Sequence, residues 1–205
     1  KYMKGVAWIT GAGKGIGHHT ALELASRGWT IAATARTTSD LDDLVAMIRS
    51  NGYKAKSYPS DVTNPDQIVD TIDRIESELG PITLAILNAG TYVRFGIDDF
   101  TISAFRAQLE VNVMGTINCL SPIIKLMLSR HSGKIAVISS LTSYRGLPFA
   151  SAYGSSKAAL TNMCEALKPE LELEGVDICV VHPGFVRTPL TNKNKFYMPF
   201  IVEPD

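Results

Sequence analysis

Short apolar runs and segments of helical period alternate six times along the chain, with no β-hairpin signal between them. Val6-Ala7-Trp8-Ile9-Thr10 is β-rich and is stopped by Gly11. From Ile16 to Arg27 the apolar residues Ile16, Ala21, Leu24 and Ala25 recur at helical spacing, and Gly28 supplies the end. Residues 30–35 read as a second strand. Ser39 can cap the helix that follows, striped by Leu41, Leu44, Val45 and Ile48 and ended by Asn51-Gly52. Residues 54–59 form a weaker third strand, less apolar and therefore expected at or near an edge. Pro65 opens the next helix at its first position, with Ile68, Ile72, Ile75 and Leu79 on one face. A strand at 83–87, a long helical region at 101–130, a strand at 134–139, a helix at 152–174 and a strand at 177–181 complete the series. Strands one, four, five and six are nearly continuous apolar runs, as parallel strands covered by helices on both faces require. The expected class is α/β, a doubly wound parallel sheet forming one domain over 1–205.

Such sheets bind ligands at the C-terminal ends of their strands, so the polar residues just after each strand carry the functional information. Composition narrows the ligand. Lys plus Arg number 20 and Asp plus Glu number 20, and a zero net charge gives no field for a nucleic acid. Hydrophobic residues at 45% and charged residues at 20% describe a globular chain, not a disordered one. Cys119, Cys164 and Cys179 are odd in number and form no CxxC pair, which points to thiols in a reducing compartment and to no metal site. No signal-like segment opens the chain and no run of about 20 apolar residues occurs. A cytoplasmic protein without a membrane span is expected.

After the first strand comes Thr10-Gly11-Ala12-Gly13-Lys14-Gly15-Ile16-Gly17. Glycines there let the backbone turn tightly and bring helix N–H groups close to a diphosphate. GxGxxG fails, because Gly11 and Gly13 would need a glycine where Ile16 stands. The phosphate loop of nucleoside triphosphatases fails as well, since Gly15 and not Ser or Thr follows Lys14.

The pattern Thr-Gly-x-x-x-Gly-Ile-Gly resembles the cofactor turn of the short-chain dehydrogenase/reductase family. Four more signatures stand in the family's order: Asn88-Ala89-Gly90, a lone Asn112, Ser140 with Tyr153-Gly154-Ser155-Ser156-Lys157, and Pro183-Gly184-Phe185-Val186-Arg187-Thr188. The resemblance runs from Val6 onward and implies a Rossmann-like fold, a nicotinamide cofactor and hydride transfer between it and a carbonyl or alcohol. It assigns Tyr153 as general acid/base and a cofactor contact, Lys157 as its pKa modulator and a ligand of the nicotinamide ribose, and Ser140 as the group polarising the substrate oxygen. Ser139 is the second candidate for that serine. Asn112 resembles the asparagine that supports the lysine through a water. Lys157 lies one helical turn from Tyr153, so its charge is expected to favour the phenolate.

In the same transfer Gly11, Gly15, Ile16 and Gly17 form the diphosphate turn, Asp61 and Val62 meet adenine, Asn88, Ala89 and Gly90 pack beneath the cofactor, and Val186 and Thr188 hold the carboxamide end. The second strand ends Thr34-Ala35-Arg36-Thr37, with no carboxylate until Asp40. Arg36 can pair bidentately with a 2′-phosphate and Lys14 adds a point charge, so the expected cofactor is NADP(H). Arg36 as a free solvated side chain is the alternative.

Tyr92, Arg94 and Phe95, the segment 141–149 and the segment 190–200, with Phe196, Tyr197, Met198 and Phe200, are the residues available to shape a substrate pocket. Their apolar and aromatic character favours an apolar or aromatic ketone or alcohol. A non-catalytic cofactor-binding regulator on the same fold is the competing class. Pro169 is expected to kink or break the last helix near Lys168. The family resemblance implies a homodimer or homotetramer and further elements after the Pro-Gly-x-x-x-Thr segment, so the chain is expected to stop before the native terminus.

Overall fold

The computed structural model describes residues 4–191, 198 and 200–204. Along the chain run β1 (Val6–Thr10), α1 (Gly15–Ser26), β2 (Thr30–Thr34), α2 (Thr38–Ser50), β3 (Ala55–Ser57), α3 (Pro65–Leu79) and β4 (Ile82–Leu87). They are followed by α4 (Ile102–Leu109), α5 (Gly115–Ser129), β5 (Gly133–Ile138), α6 (Ser151–Leu173) and β6 (Val176–Val181). All pairings are parallel, and the strand order is β3-β2-β1-β4-β5-β6. This is the expected doubly wound, Rossmann-like sheet, with β3 at one edge.

β1 explains why both faces are covered. Its side chains alternate between two cores: Val6 and Trp8 join Ile72, Ile75, Ile123 and Leu160 on one face, while Ala7 and Ile9 join Ile31, Leu41, Leu44 and Ile48 on the other. Each large aliphatic side chain so buried contributes about 1.5–3 kcal/mol. Trp8 carries a polar atom into this core and satisfies it, donating from Nε1 to Thr34 Oγ1 at 2.9 Å.

Four local expectations are corrected. The region 101–130 is not one α-helix: a wider, π-helical turn at Glu110–Met114 separates α4 from α5 and contains Asn112. Ser39 does not cap α2, which starts one residue earlier, with the Leu41 N–H bonded to the Thr37 carbonyl at 3.3 Å. Pro169 does not break α6, which continues to Leu173. Both Pro169 and Glu165, whose carbonyl loses its helical donor, are exposed, so water can replace the missing bond. Finally, β6 is not covered on both faces among the described residues: Val176 and Ile178 are buried, while Asp177, Cys179 and Val181 are exposed. Cys119 and Cys164 are buried thiols.

Within the 28 residues Ile102–Ser129 an 18-residue window has a mean hydropathy of 1.4, long and apolar enough to cross a membrane. It behaves as a core helix, since Cys119, Leu120, Ile123 and Met127 pack in the same core as Trp8.

Candidate active site

The order of the sheet reverses between β1 and β4, and the loops leaving their C-terminal ends part to leave a crevice. Two side chains fasten those loops together. Thr10 Oγ1 accepts from the N–H groups of Asn88 and Ala89 at 3.0 and 3.1 Å. Asn88 Nδ2 returns hydrogen bonds to the carbonyls of Thr10 and Gly11, both at 3.1 Å. Thr10 opens the Thr-Gly-x-x-x-Gly-Ile-Gly pattern, which assigns it no role; a hydroxyl at the last position of a buried strand is the signal for this one.

The glycines are required by contact. Gly11 has φ +64°, and a Cβ on it would lie 2.9 Å from Asn88 Nδ2. Gly17 lies beneath the turn, where a Cβ would run into the Gly11 carbonyl and come within 2.5 Å of Asn88 Nδ2. Gly17→Ala is therefore expected to cost about 1–3 kcal/mol of stability. A thermal-unfolding titration with nucleotide should also show weakened binding; an unchanged midpoint and unchanged affinity would contradict this packing role.

A groove of about 420 Å³ opens over this turn. Gly11, Lys14, Gly15, Ile16, Arg36, Asp61, Val62, Asn88, Ala89, Gly90 and Thr188 all line it, so the structure brings together the residues chosen from sequence, with Gly17 as the support below. No side chain caps the N-terminus of α1, leaving its first-turn amides available to a diphosphate. These features fit a dinucleotide. At the open end Arg36 is exposed and has no ion-pair partner among the described residues. Lys14 is not free: its Nζ pairs with Asp40 Oδ2 at 3.0 Å. Asp61 caps its own turn, accepting at Oδ1 from the Thr63 N–H and hydroxyl at 3.0 and 2.9 Å. Val62 packs against Gly115, where a Cβ would approach within 2.7 Å.

The groove continues into a smaller pocket of about 100 Å³ containing Ser140, Tyr153, Lys157, Val186 and Thr188. Ser139 and Ser140 both border it, but their hydroxyls do different things. Ser139 Oγ donates to the Lys157 carbonyl at 2.9 Å and shares a hydrogen bond with Thr161 Oγ1 at 2.9 Å, which engages it in holding β5 to α6. Ser140 lines the small pocket together with Tyr153 and opposes the pull of burial on its phenol, and its Oγ accepts from the Thr142 N–H at 3.2 Å. Ser140 is the serine that faces the tyrosine.

Tyr153 is half-buried, with the ring of Tyr92 edge-on at 5.2 Å. Burial pushes its phenol above the ordinary tyrosine range; the Ser140 hydroxyl pulls the other way and the Tyr92 phenol adds to the rise. Lys157, expected to lower this pKa, is not among the groups that shift it. Lys157 Nζ stands 5.7 Å from the Tyr153 ring centroid and donates to the Ile138 carbonyl at 2.7 Å. Lys157 is itself buried, and desolvation pushes its ammonium down to about 8.

Asn112 is fully buried and approaches Lys157 across Gly90, on which a Cβ would lie 3.3 Å from Asn112 Oδ1 and 3.5 Å from Lys157 Nζ. The Asn112 amide clamps Thr91, accepting from its N–H at 2.7 Å and donating to its carbonyl at 3.0 Å. It also donates to Ser156 Oγ at 2.9 Å, so the π-helical turn holds the Gly90 loop against α6.

On the substrate side, Tyr92 closes on Tyr153 as noted, whereas Arg94 stacks over Phe149 at 3.6 Å from the ring centroid. Tyr144 stacks on His182 at 4.7 Å, and His182 Nε2 lies 3.1 Å from Thr161 Oγ1. Phe196 and Tyr197 lie outside the described residues. Ser156 stands inside the Tyr153–Lys157 signature without an assigned role, and Thr161, outside every motif, lies one turn after Lys157 on α6.

The model of the short chain dehydrogenase family matches residues 5–196. An uncharacterised oxidoreductase of Myxococcus xanthus is 34% identical over 96% of this chain and 78% of its own length. One from Mycobacterium tuberculosis is 32% identical, and the chain spans only 59% of it. The crystal structure of a 3-ketoacyl-ACP reductase from Sinorhizobium meliloti superposes with a TM-score of 0.85 at 32% identity, covering 89% of this chain and 72% of that one. With the family match spanning nearly its whole length and its nucleotide groove joined to a Ser-Tyr-Lys pocket, the chain belongs to the short chain dehydrogenase family of oxidoreductases.

Proposed function

We propose that this chain is an NADP(H)-dependent reductase of ketones and aldehydes, reversible toward secondary alcohols, with Tyr153 as its general acid/base. The observation that carries the reading is the continuity of the groove: it begins at Arg36, whose guanidinium has no ion-pair partner among the described residues, and ends at the pocket shared by Ser140 and Tyr153. The bound nicotinamide supplies the hydride. Around it Ser140 donates a hydrogen bond to the substrate carbonyl oxygen, and Tyr153 delivers a proton to that oxygen as it gains charge. Lys157 binds the ribose hydroxyls and holds positive charge near the phenolate left behind. Arg36, with Lys14, receives the 2′-phosphate, and Thr188 orients the carboxamide. The Sinorhizobium relative named as a 3-ketoacyl-ACP reductase adds thioester-linked β-ketones to the candidate substrates. Association as a homodimer or homotetramer in the cytoplasm belongs to the same proposal, with Ile97 and Ile102, 88% and 78% exposed, as apolar surface for an interface to cover.

The test is NADPH oxidation with aldehydes, aromatic ketones, steroids, quinones and β-ketothioesters. Turnover of at least one carbonyl is expected; tight NADPH binding with no turnover of any would favour a regulatory protein. Arg36→Asp should weaken NADPH roughly ten- to hundredfold, the worth of a charge-assisted contact, and NADH far less. Equal losses for both would overturn the 2′-phosphate assignment.

A further inference from the structure

Resting on the reading of Arg36 and Lys14 as a 2′-phosphate site, we infer that Asp40 sets how sharply the chain distinguishes NADP(H) from NAD(H), by tethering Lys14 away from the phosphate. Asp40 lies in the first turn of α2, and two local facts bring its carboxylate into the groove. The early start of α2 at Thr38 places Asp40 beside the glycine turn. Gly13 then leaves it room, for a Cβ on Gly13 would lie 3.1 Å from Asp40 Cβ. The result is the 3.0 Å Lys14–Asp40 pair, on the same groove wall as Arg36 and Thr37.

Lys14 and Asp40 cancel, so among the described groove residues an incoming phosphate dianion meets one uncompensated cation, Arg36, where the sequence offers two. His18 adds none at neutral pH: although Asp40 attracts its proton, burial and His19 outweigh that and lower its pKa. Asp61, the other groove carboxylate, is engaged by Thr63. The tether is also breakable. The Lys14 side chain is 63% exposed and that of Asp40 23%, and a pair so open to water is weak. A ligand carrying the 2′-phosphate can draw Lys14 across, at the cost of stranding Asp40 beside it; a ligand without that phosphate leaves the pair intact. Asp40 therefore damps the discrimination that Lys14 and Arg36 together would give.

Asp40→Asn keeps the side-chain shape and an oxygen acceptor at the helix start while removing the charge. Calorimetric titration, without turnover, should show NADPH and 2′,5′-ADP binding about three- to tenfold tighter to this variant, the range of an exposed charge contact. NADH and 5′-AMP should change little, and the gain should shrink with added salt. In a Lys14→Gln background the gain from Asp40→Asn should be smaller. An unchanged ratio of 2′,5′-ADP to 5′-AMP affinity would overturn the tether, as would weaker 5′-AMP binding, which would instead make Asp40 a holder of the ribose hydroxyls. Failure of the underlying reading is separately visible, because Arg36→Asp would then lower 2′,5′-ADP and 5′-AMP affinity equally.

Discussion

Tyr153→Phe should lower turnover by at least about a hundredfold, the range for a missing general acid, while leaving NADPH affinity in place. The ring stays where it is: its edge contact with Tyr92 and its position on α6 do not involve the hydroxyl. What disappears is the phenolic O–H, which shares the small pocket with Ser140. The nucleotide groove is built from the glycine turn, Arg36 and the Asn88 loop, and Tyr153 is not among its walls. Binding and turnover should therefore separate, which fluorescence titration and steady-state NADPH oxidation can measure on the same preparation. Near-normal turnover would sink the assignment of Tyr153. Because burial raises the phenol, alcohol oxidation by the wild type should accelerate with pH over the alkaline range, and the Phe variant should lose that dependence.

The sheet was readable because its inner strands are continuous apolar runs with glycines at their ends, and β1 in particular is buried at every residue. The site was readable because this architecture places ligand chemistry at strand ends, where the polar signatures stand out against apolar neighbours. What stayed hidden has a common cause: it depends on direction, not on residue type. Ser139 and Ser140 are indistinguishable as letters. The ladder decides between them, since the Ser139 N–H bonds the Val181 carbonyl at 2.8 Å and keeps that residue in the sheet, turning its hydroxyl into α6. The π-helical turn around Asn112 was likewise invisible, because a single widened turn barely disturbs a helical apolar period. Asp40 was noticed only as the first carboxylate after the second strand; that it reaches Lys14 follows from where α2 begins, and boundaries are what sequence patterns resolve least well.

Lys157→Met is expected to abolish turnover and at the same time stabilise the unliganded protein. Burial holds the Lys157 ammonium near 8, below the unfolded value of about 10.4. The sign follows from proton counting. Below pH 8 both folded and unfolded chains carry the proton, and the folded state bears the full desolvation penalty. Between about 8 and 10.4 the unfolded chain binds a proton that the folded chain does not, so unfolding free energy rises with pH across that window. The penalty at neutral pH is on the order of 3 kcal/mol, against which Met forfeits the hydrogen bond to the Ile138 carbonyl, worth about 1 kcal/mol. A net gain of about 2 kcal/mol, or roughly 4–8 °C in Tm for a chain of this size, should appear at pH 7. The rise in wild-type stability from pH 7.5 to 9.5 should vanish in the variant. A lowered Tm with an unaltered slope would mean that Lys157 stabilises the fold and is not the source of the alkaline linkage. The expected outcome has a functional corollary: a lysine that destabilises its own fold is retained for what its charge does beside Tyr153, and nucleotide affinity in the wild type should fall as pH rises past 8 and that charge is lost.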